Sequence, residues 1–248
     1  MQFRVGCASD VGRKRSQNQD SVKNMPELGL FIVADGMGGH RGGETASAMV
    51  VDLVPEFVRK AQLVQGNRWN PKTVISQAIT QASNAIHQRA MNDPSLQGMG
   101  TTTVAMLFKD QVMTVGHVGD SRCYILRPGA IWQATRDHSL VQEKLRAGLI
   151  SRAELKTDRM KNVITRSVGF ESEVNVETYE MNIQAGDAFL ICSDGLSGMV
   201  DDLQILEVME QGREKHHDLQ ETVNHLIDIA NQNGGEDNVS TILVEVAG

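Results

Sequence analysis

The sequence predicts an α+β fold in which two β-sheets pack together with helices outside. Three observations support this. Strand-like segments outnumber helical ones. Those between residues 101 and 135 follow one another too closely for helical crossovers, which indicates antiparallel hairpins. Each helical segment has one apolar face, suited to covering a sheet. In chain order, Phe3 to Ala8 and Leu28 to Ala34 read as strands. Ala46, Met49, Val50, Leu53 and Phe57 then recur at helix spacing, and Pro55 is expected to kink or shorten that helix. After Pro71, Ile75, Ala78, Ile79, Ala82 and Ile86 share one helical face. Strands are expected over 101–108, 112–118, 121–126, 174–183 and 188–192. Leu219, Val223, Leu226, Ile227 and Ala230 mark a last helix, and Val239 to Val246 a closing strand.

Composition narrows the function classes. The chain has 248 residues, 40% hydrophobic and 22% charged, the profile of a folded globular protein. No run is long and apolar enough to span a bilayer, and the N-terminus MQFRVGCASDVGRKR lacks the apolar core of a secretory signal. A net charge of -7 argues against nucleic acid as a partner. Cys7, Cys123 and Cys192 form no CxxC pair and are expected to be reduced thiols in a cytoplasmic protein. No Pro/Ser-rich linker divides the chain, so a single domain over 1–248 is expected. Residues 136–166 stand apart. Eight basic residues (Arg136, Lys144, Arg146, Arg152, Lys156, Arg159, Lys161, Arg166) outnumber four acids there, giving +4 against -11 elsewhere. The plain reading is a solvated helical surface; the sharper one is a basic flap that attracts an anionic substrate.

The chemistry lies in aspartates at strand ends. LFIVADGMGG ends a strand at Asp35-Gly36, and FLICSDGLSG ends another at Asp194-Gly195. GHVGDSR supplies Asp120, GGEDNVSTILV places Asp237 before the last strand, and RSQNQDSV places Asp20 at the start of another. An aspartate at a strand end is a short ligand on a rigid support. The following glycine lets the chain turn and frees its carbonyl. One Asp-Gly is usually only a turn. Several converging carboxylates repel one another unless cations neutralise them, and oxygen-only ligands suit Mg²⁺ or Mn²⁺.

In order, the motifs SDVGRKRSQNQDSV, VADGMGGHRGGETAS, GTTTVAMLF, GHVGDSRCYIL, TRDHSLVQEKLRAGLI, NVITRSVG, CSDGLSGMV and GGEDNVSTILV closely resemble the bacterial branch of the PPM (PP2C-like) metal-dependent serine/threonine protein phosphatases. The resemblance implies an αββα sandwich with a flap over about 136–170 and a centre of two Mn²⁺ or Mg²⁺ ions, with room for a third. It implies Asp35 as the carboxylate bridging both metals, Gly36 as a carbonyl ligand, and Asp194 and Asp237 as further ligands. Asp120, with Asp194, matches the third site; Asp20 matches an aspartate beside the centre, acting through water. Arg15 matches the arginine that grips the substrate phosphate. The implied reaction is hydrolysis of phosphoserine or phosphothreonine by a metal-bridging hydroxide, without a phosphoenzyme. His40 or a metal-bound water would protonate the leaving alkoxide; the plain alternative for His40 is a histidine that orders its loop. Implied partners are phosphorylated proteins, including a Ser/Thr kinase and its substrates, met by a monomer.

Two departures stand out. Gln19 replaces the glutamate of many relatives, which should loosen one metal site, and no His-Pro precedes NVITR. His117 reads as a strand histidine, His138 as fixing the start of the flap, and Cys192 as core packing. No GxxxxGK[ST] occurs, so the glycines near Asp35 do not indicate a nucleotide loop. The alternatives are a non-catalytic regulator of the same fold, which has no need of so many mutually repelling acids, or a phosphatase dedicated to one small regulatory phosphoprotein.

Overall fold

A computed structural model describes residues 1–38, 41–155, 157–184, 186–215 and 218–247. The chain starts with strands β1 (Gln2–Asp10), β2 (Asp20–Met25) and β3 (Leu30–Met37), followed by the long helices α1 (Gly42–Gln65) and α2 (Pro71–Asn92). Strands β4 (Gly100–Thr101), β5 (Thr103–Lys109), β6 (Val112–Val118), β7 (Arg122–Arg127) and β8 (Ala130–Gln133) come next, then helix α3 (Leu140–Arg146). The remainder is β9 (Glu177–Asn182), β10 (Ala188–Cys192), the short α4 (Asp194–Ser197), α5 (Asp202–Glu214), α6 (Leu219–Gln232) and β11 (Val239–Ala247).

Among the described residues the strands form two antiparallel sheets. One has the order β1-β11-β10-β7-β8; the other has β2-β3-β5-β6-β9, with β4 added beside β3. Strand β3 shows why the layers stack. Leu30, Ile32 and Ala34 face α1 and α2, where they meet Val50, Val54, Ile75 and Ile79. Phe31 and Val33 point the other way, onto Phe189, Ile191, Ile242 and Val244 of the opposite sheet. A strand covered on both faces needs the continuous apolar run seen in LFIVA. The opposite sheet repeats the logic, with Leu190, Cys192 and Leu243 packed on Ile205, Leu226 and Ile227 of α5 and α6. The result is the expected αββα sandwich. Cys192 is core, fully buried, and burial pushes its thiol up to about 12.

Three local expectations need correction. Helix α1 is not shortened at Pro55 but continues through it to Gln65. Val50, Val54, Val58 and Ala61 are buried on both sides of the proline, and that apolar stripe outweighs one lost backbone hydrogen bond. The strand expected from residue 174 starts at Glu177. Helix α5 and the four-residue edge strand β8 were not expected. Within 136–170, α3 and a 3-10 turn over Arg152–Glu154 are joined by irregular chain. This stretch is tied back through bridges pairing Ser139 with Ile164 and Thr101 with Val168. Lys156 lies outside the described residues.

Candidate active site

The ladders bring the strand-end aspartates to one end of the sandwich. Asp20 and Asp35 are direct partners across the β2–β3 pair, so their side chains share a face. Cys192 of β10 pairs with Thr241 of β11. Asp194 begins two residues after one strand and Asp237 stands two residues before the other, which makes them neighbours. Asp120 sits, buried, in the turn from β6 to β7.

The electrostatics show that these carboxylates form one group. Burial holds Asp35 well above the usual carboxylate range, and Asp20, Asp194, Asp120 and Asp237 raise it further. Burial pushes Asp20 up to about 7 against hydrogen bonds from Ser240 and Ser193, with Asp194 and Asp237 adding to the rise. Asp120 is pushed up to about 8 by burial, then by Asp194 and Asp137. Asp194 is raised by burial and by Asp237. Such repulsion is what a divalent cation neutralises.

Neighbouring hydroxyls and amides hold the acids in place. Ser193 Oγ donates to Asp20 Oδ2 at 2.8 Å. The main chain of Asp35 is fixed by Thr102, whose Oγ1 accepts from the Asp35 amide at 3.0 Å, and by Thr101, whose Oγ1 donates to the Asp35 carbonyl at 2.8 Å. Gly36 is a glycine because a Cβ there would strike the Gly43 carbonyl at the start of α1 and the Gln19 carbonyl. Arg15 is exposed at the mouth, where its Nη2 donates to Asp237 Oδ2 at 2.7 Å. Asp194 and Asp35 also act on its guanidinium.

The donor set fits hard divalent cations. Asp20 Oδ1, Asp120 Oδ1 and Asp194 Oδ1 are buried and have no hydrogen-bond partner. Buried polar atoms are nearly always satisfied, so three orphaned carboxylate oxygens in one cluster point to a cation. Among the described residues, no group of three His, Cys, Asp or Glu side chains is already closed around a single point.

The structure thus brings together Arg15, Asp20, Asp35, Gly36, Asp194 and Asp237, with the Asp194 charge also acting on Asp120. His40 lies outside the described residues. His117 is buried and stacked on His138 at 4.7 Å, and burial holds its ring down to about 3, so it is neutral core. His138 Nδ1 accepts from the Gly119 amide at 3.0 Å, which leaves Nε2 to carry the proton toward Glu177 Oε1 at 3.2 Å. The His138 amide donates to the Gly119 carbonyl at 2.8 Å, which ties the basic segment to the Asp120 turn.

Asn238 was missed in the sequence. Its Nδ2 donates to the carbonyls of Val11 and Gln17, each at 2.9 Å, and its Oδ1 accepts from the Gln19 amide at 2.8 Å. Its own amide donates to Asp237 Oδ1 at 2.9 Å. One buried side chain therefore ties the loop that carries Arg15 to the segment that carries Asp237. The available signal was an asparagine directly after a strand-end aspartate.

The sequence profile described as Protein phosphatase 2C matches residues 12–244. The chain belongs to the protein phosphatase 2C family. Membership makes it an enzyme of the metal-dependent protein phosphatase class. It is 37% identical over 240 residues to the serine/threonine phosphatase stp of Listeria innocua, covering 96% of this chain and 93% of that one. It superposes on the crystal structure of the Mycobacterium tuberculosis serine/threonine phosphatase PstP/Ppp with a TM-score of 0.91, at 32% identity and over 100% of both chains. A structure of the PstP catalytic domain in complex with two manganese ions matches with a TM-score of 0.87, at 33% identity and over 99% of each chain.

Proposed function

We propose that this chain hydrolyses phosphoserine and phosphothreonine in proteins with the help of Mn²⁺ or Mg²⁺. The observation that carries this is the cluster of strand-end aspartates with orphaned buried oxygens, facing one exposed arginine. Asp35, the Gly36 carbonyl, Asp194 and Asp237 would hold two cations, and Asp120 with Asp194 a third. Bound there, the cations would supply Lewis-acid stabilisation of phosphoryl charge and a nucleophilic oxygen at neutral pH. Asp20 steadies the β2 side of the cluster through Ser193. Arg15 takes the phosphate. Its guanidinium fork can turn two N–H groups on phosphoryl oxygens, exchanging the exposed Asp237 contact for a doubly charged ligand.

Cys192, next but one to Asp194, does not compete as nucleophile, because it is sealed in the core. His117 cannot serve as the acid for the same reason. His40 is assigned to protonate the leaving alkoxide, being the histidine nearest to Asp35 in sequence. On this reading residues 1–248 form one catalytic domain, a cytoplasmic monomer opposing a bacterial serine/threonine kinase, with 136–170 as its flap. Among the described residues no helix is long and apolar enough to cross a membrane.

The test is hydrolysis of p-nitrophenyl phosphate and of a phosphothreonine peptide in Mn²⁺. Activity should vanish with a chelator and fall to background in Asp194→Ala. A full rate in that variant would remove Asp194 from the centre.

A further inference from the structure

Beside the aspartate cluster, the loop after Arg15 and the first half of α1 enclose an open groove of about 580 Å³. Gln17 forms one wall; Arg41, Glu44 and Asp52 line the helix side, over a floor that includes Ala48 and Met49. We propose that this groove is a docking subsite for the protein substrate. It holds an extended segment next to the phosphoresidue, one that carries lysine or arginine two to six residues away. The inference rests on the phosphatase reading above and adds a substrate preference to it.

None of the strand-end aspartates lines the groove, but its walls connect to them. The Gln17 carbonyl accepts from Asn238 Nδ2 at 2.9 Å, and the Asn238 amide holds Asp237. On α1, Gly43, the chain neighbour of the lining residue Glu44, packs directly on Gly36. A phosphoresidue at the aspartates would therefore send its neighbouring backbone past Gln17 and Arg41.

Length and charge select the occupant. Arg41 and Asp52 are separated by about 16 Å along the helix axis, at roughly 1.5 Å per residue. That distance spans about five residues of extended chain. The charge changes sign along it. Arg41 and the positive end of the α1 dipole lie toward the phosphate. Glu44 and Asp52 lie farther out and are exposed. Asp52 meets Lys23 at 3.3 Å, whereas among the described residues no ion pair engages the Glu44 carboxylate. The half-buried Ala48 and Met49 suit the aliphatic stem of a lysine or arginine whose cationic tip reaches those carboxylates.

The test uses phosphothreonine peptides with Lys, Ala or Glu placed two to six residues from the phosphothreonine, on either side. Wild-type protein is compared with the double variant Glu44→Lys, Asp52→Lys at low salt in Mn²⁺. The wild type should favour Lys peptides over Glu peptides by about three- to tenfold in kcat/KM, as exposed ion pairs allow. The double variant should reverse that order and hydrolyse p-nitrophenyl phosphate at the wild-type rate. The same peptide order in both proteins would overturn the inference, as would an equal loss on peptides and the small ester. A wild type inactive on every substrate would instead overturn the phosphatase reading beneath it.

Discussion

At the residue scale, Asn238 is linked to Arg15 through the loop that carries the arginine. Asn238 spends its amide group on three backbone partners of the 11–19 loop, so the arginine depends on it for position. Each such hydrogen bond contributes about 1 kcal/mol net, and orphaning buried partners costs more. Asn238→Ala is therefore expected to raise KM for p-nitrophenyl phosphate by about five- to thirtyfold, with a smaller change in kcat. Arg15→Ala should do the same, and the double variant should be little worse than either single one, because both remove one interaction. The Asn238→Ala loop should also be cut faster by trypsin at the exposed Arg13, Lys14 and Arg15. Unchanged trypsin cutting, or fully additive effects on KM, would separate Asn238 from Arg15.

At the element scale, the strand ends decide the site, and they were the most legible part of the sequence. The apolar runs LFIVA and FLIC give way to aspartates because β3 and β10 are buried on both faces and must stay apolar until they emerge. Helices α1, α2 and α6 were legible from their apolar stripes. Other features left no periodic trace. Strand β8 is a four-residue edge without an alternating pattern, and α5 buries only a short stripe of Ile205, Val208 and Met209. The Asn238 contacts and the His138–Glu177 pair join residues far apart in sequence, where no local spacing exists to read. The basic segment belongs to the same scale. Its Lys144 is already paired with Asp158 at 2.9 Å, but Arg159 and Lys161 are exposed, near exposed Met160. Replacing Lys156, Arg159 and Lys161 with Glu should lower phosphoprotein turnover several-fold and leave p-nitrophenyl phosphate turnover nearly unchanged. An equal effect on both would deny the segment a part in substrate docking.

At the scale of the whole molecule, the sandwich acts as a clamp that holds like charges together. Its two sheets meet through an apolar interface that includes the edge-to-face contacts of Phe31 with Phe108 and of Phe108 with Phe189. That rigid interface fixes the strand ends whose carboxylates would otherwise move apart. The cost appears as linkage. Asp20 and Asp120 have folded-state values of about 7 and 8, above the ordinary carboxylate value, so the folded protein binds more protons than the unfolded chain between about pH 4 and 8. Without cations, their contribution to stability is greatest below that window and is lost as pH rises through it. A cation that binds only the folded centre adds stability at the upper end, where the carboxylates are ionised.

The most direct test is the thermal unfolding midpoint measured from pH 5 to pH 8, first in chelator and then in millimolar Mn²⁺. In chelator the midpoint should fall as pH rises; with Mn²⁺ it should climb by several degrees at pH 8 and hardly move at pH 5. A midpoint indifferent to Mn²⁺ at pH 8 would contradict the assignment of these aspartates to a cation centre.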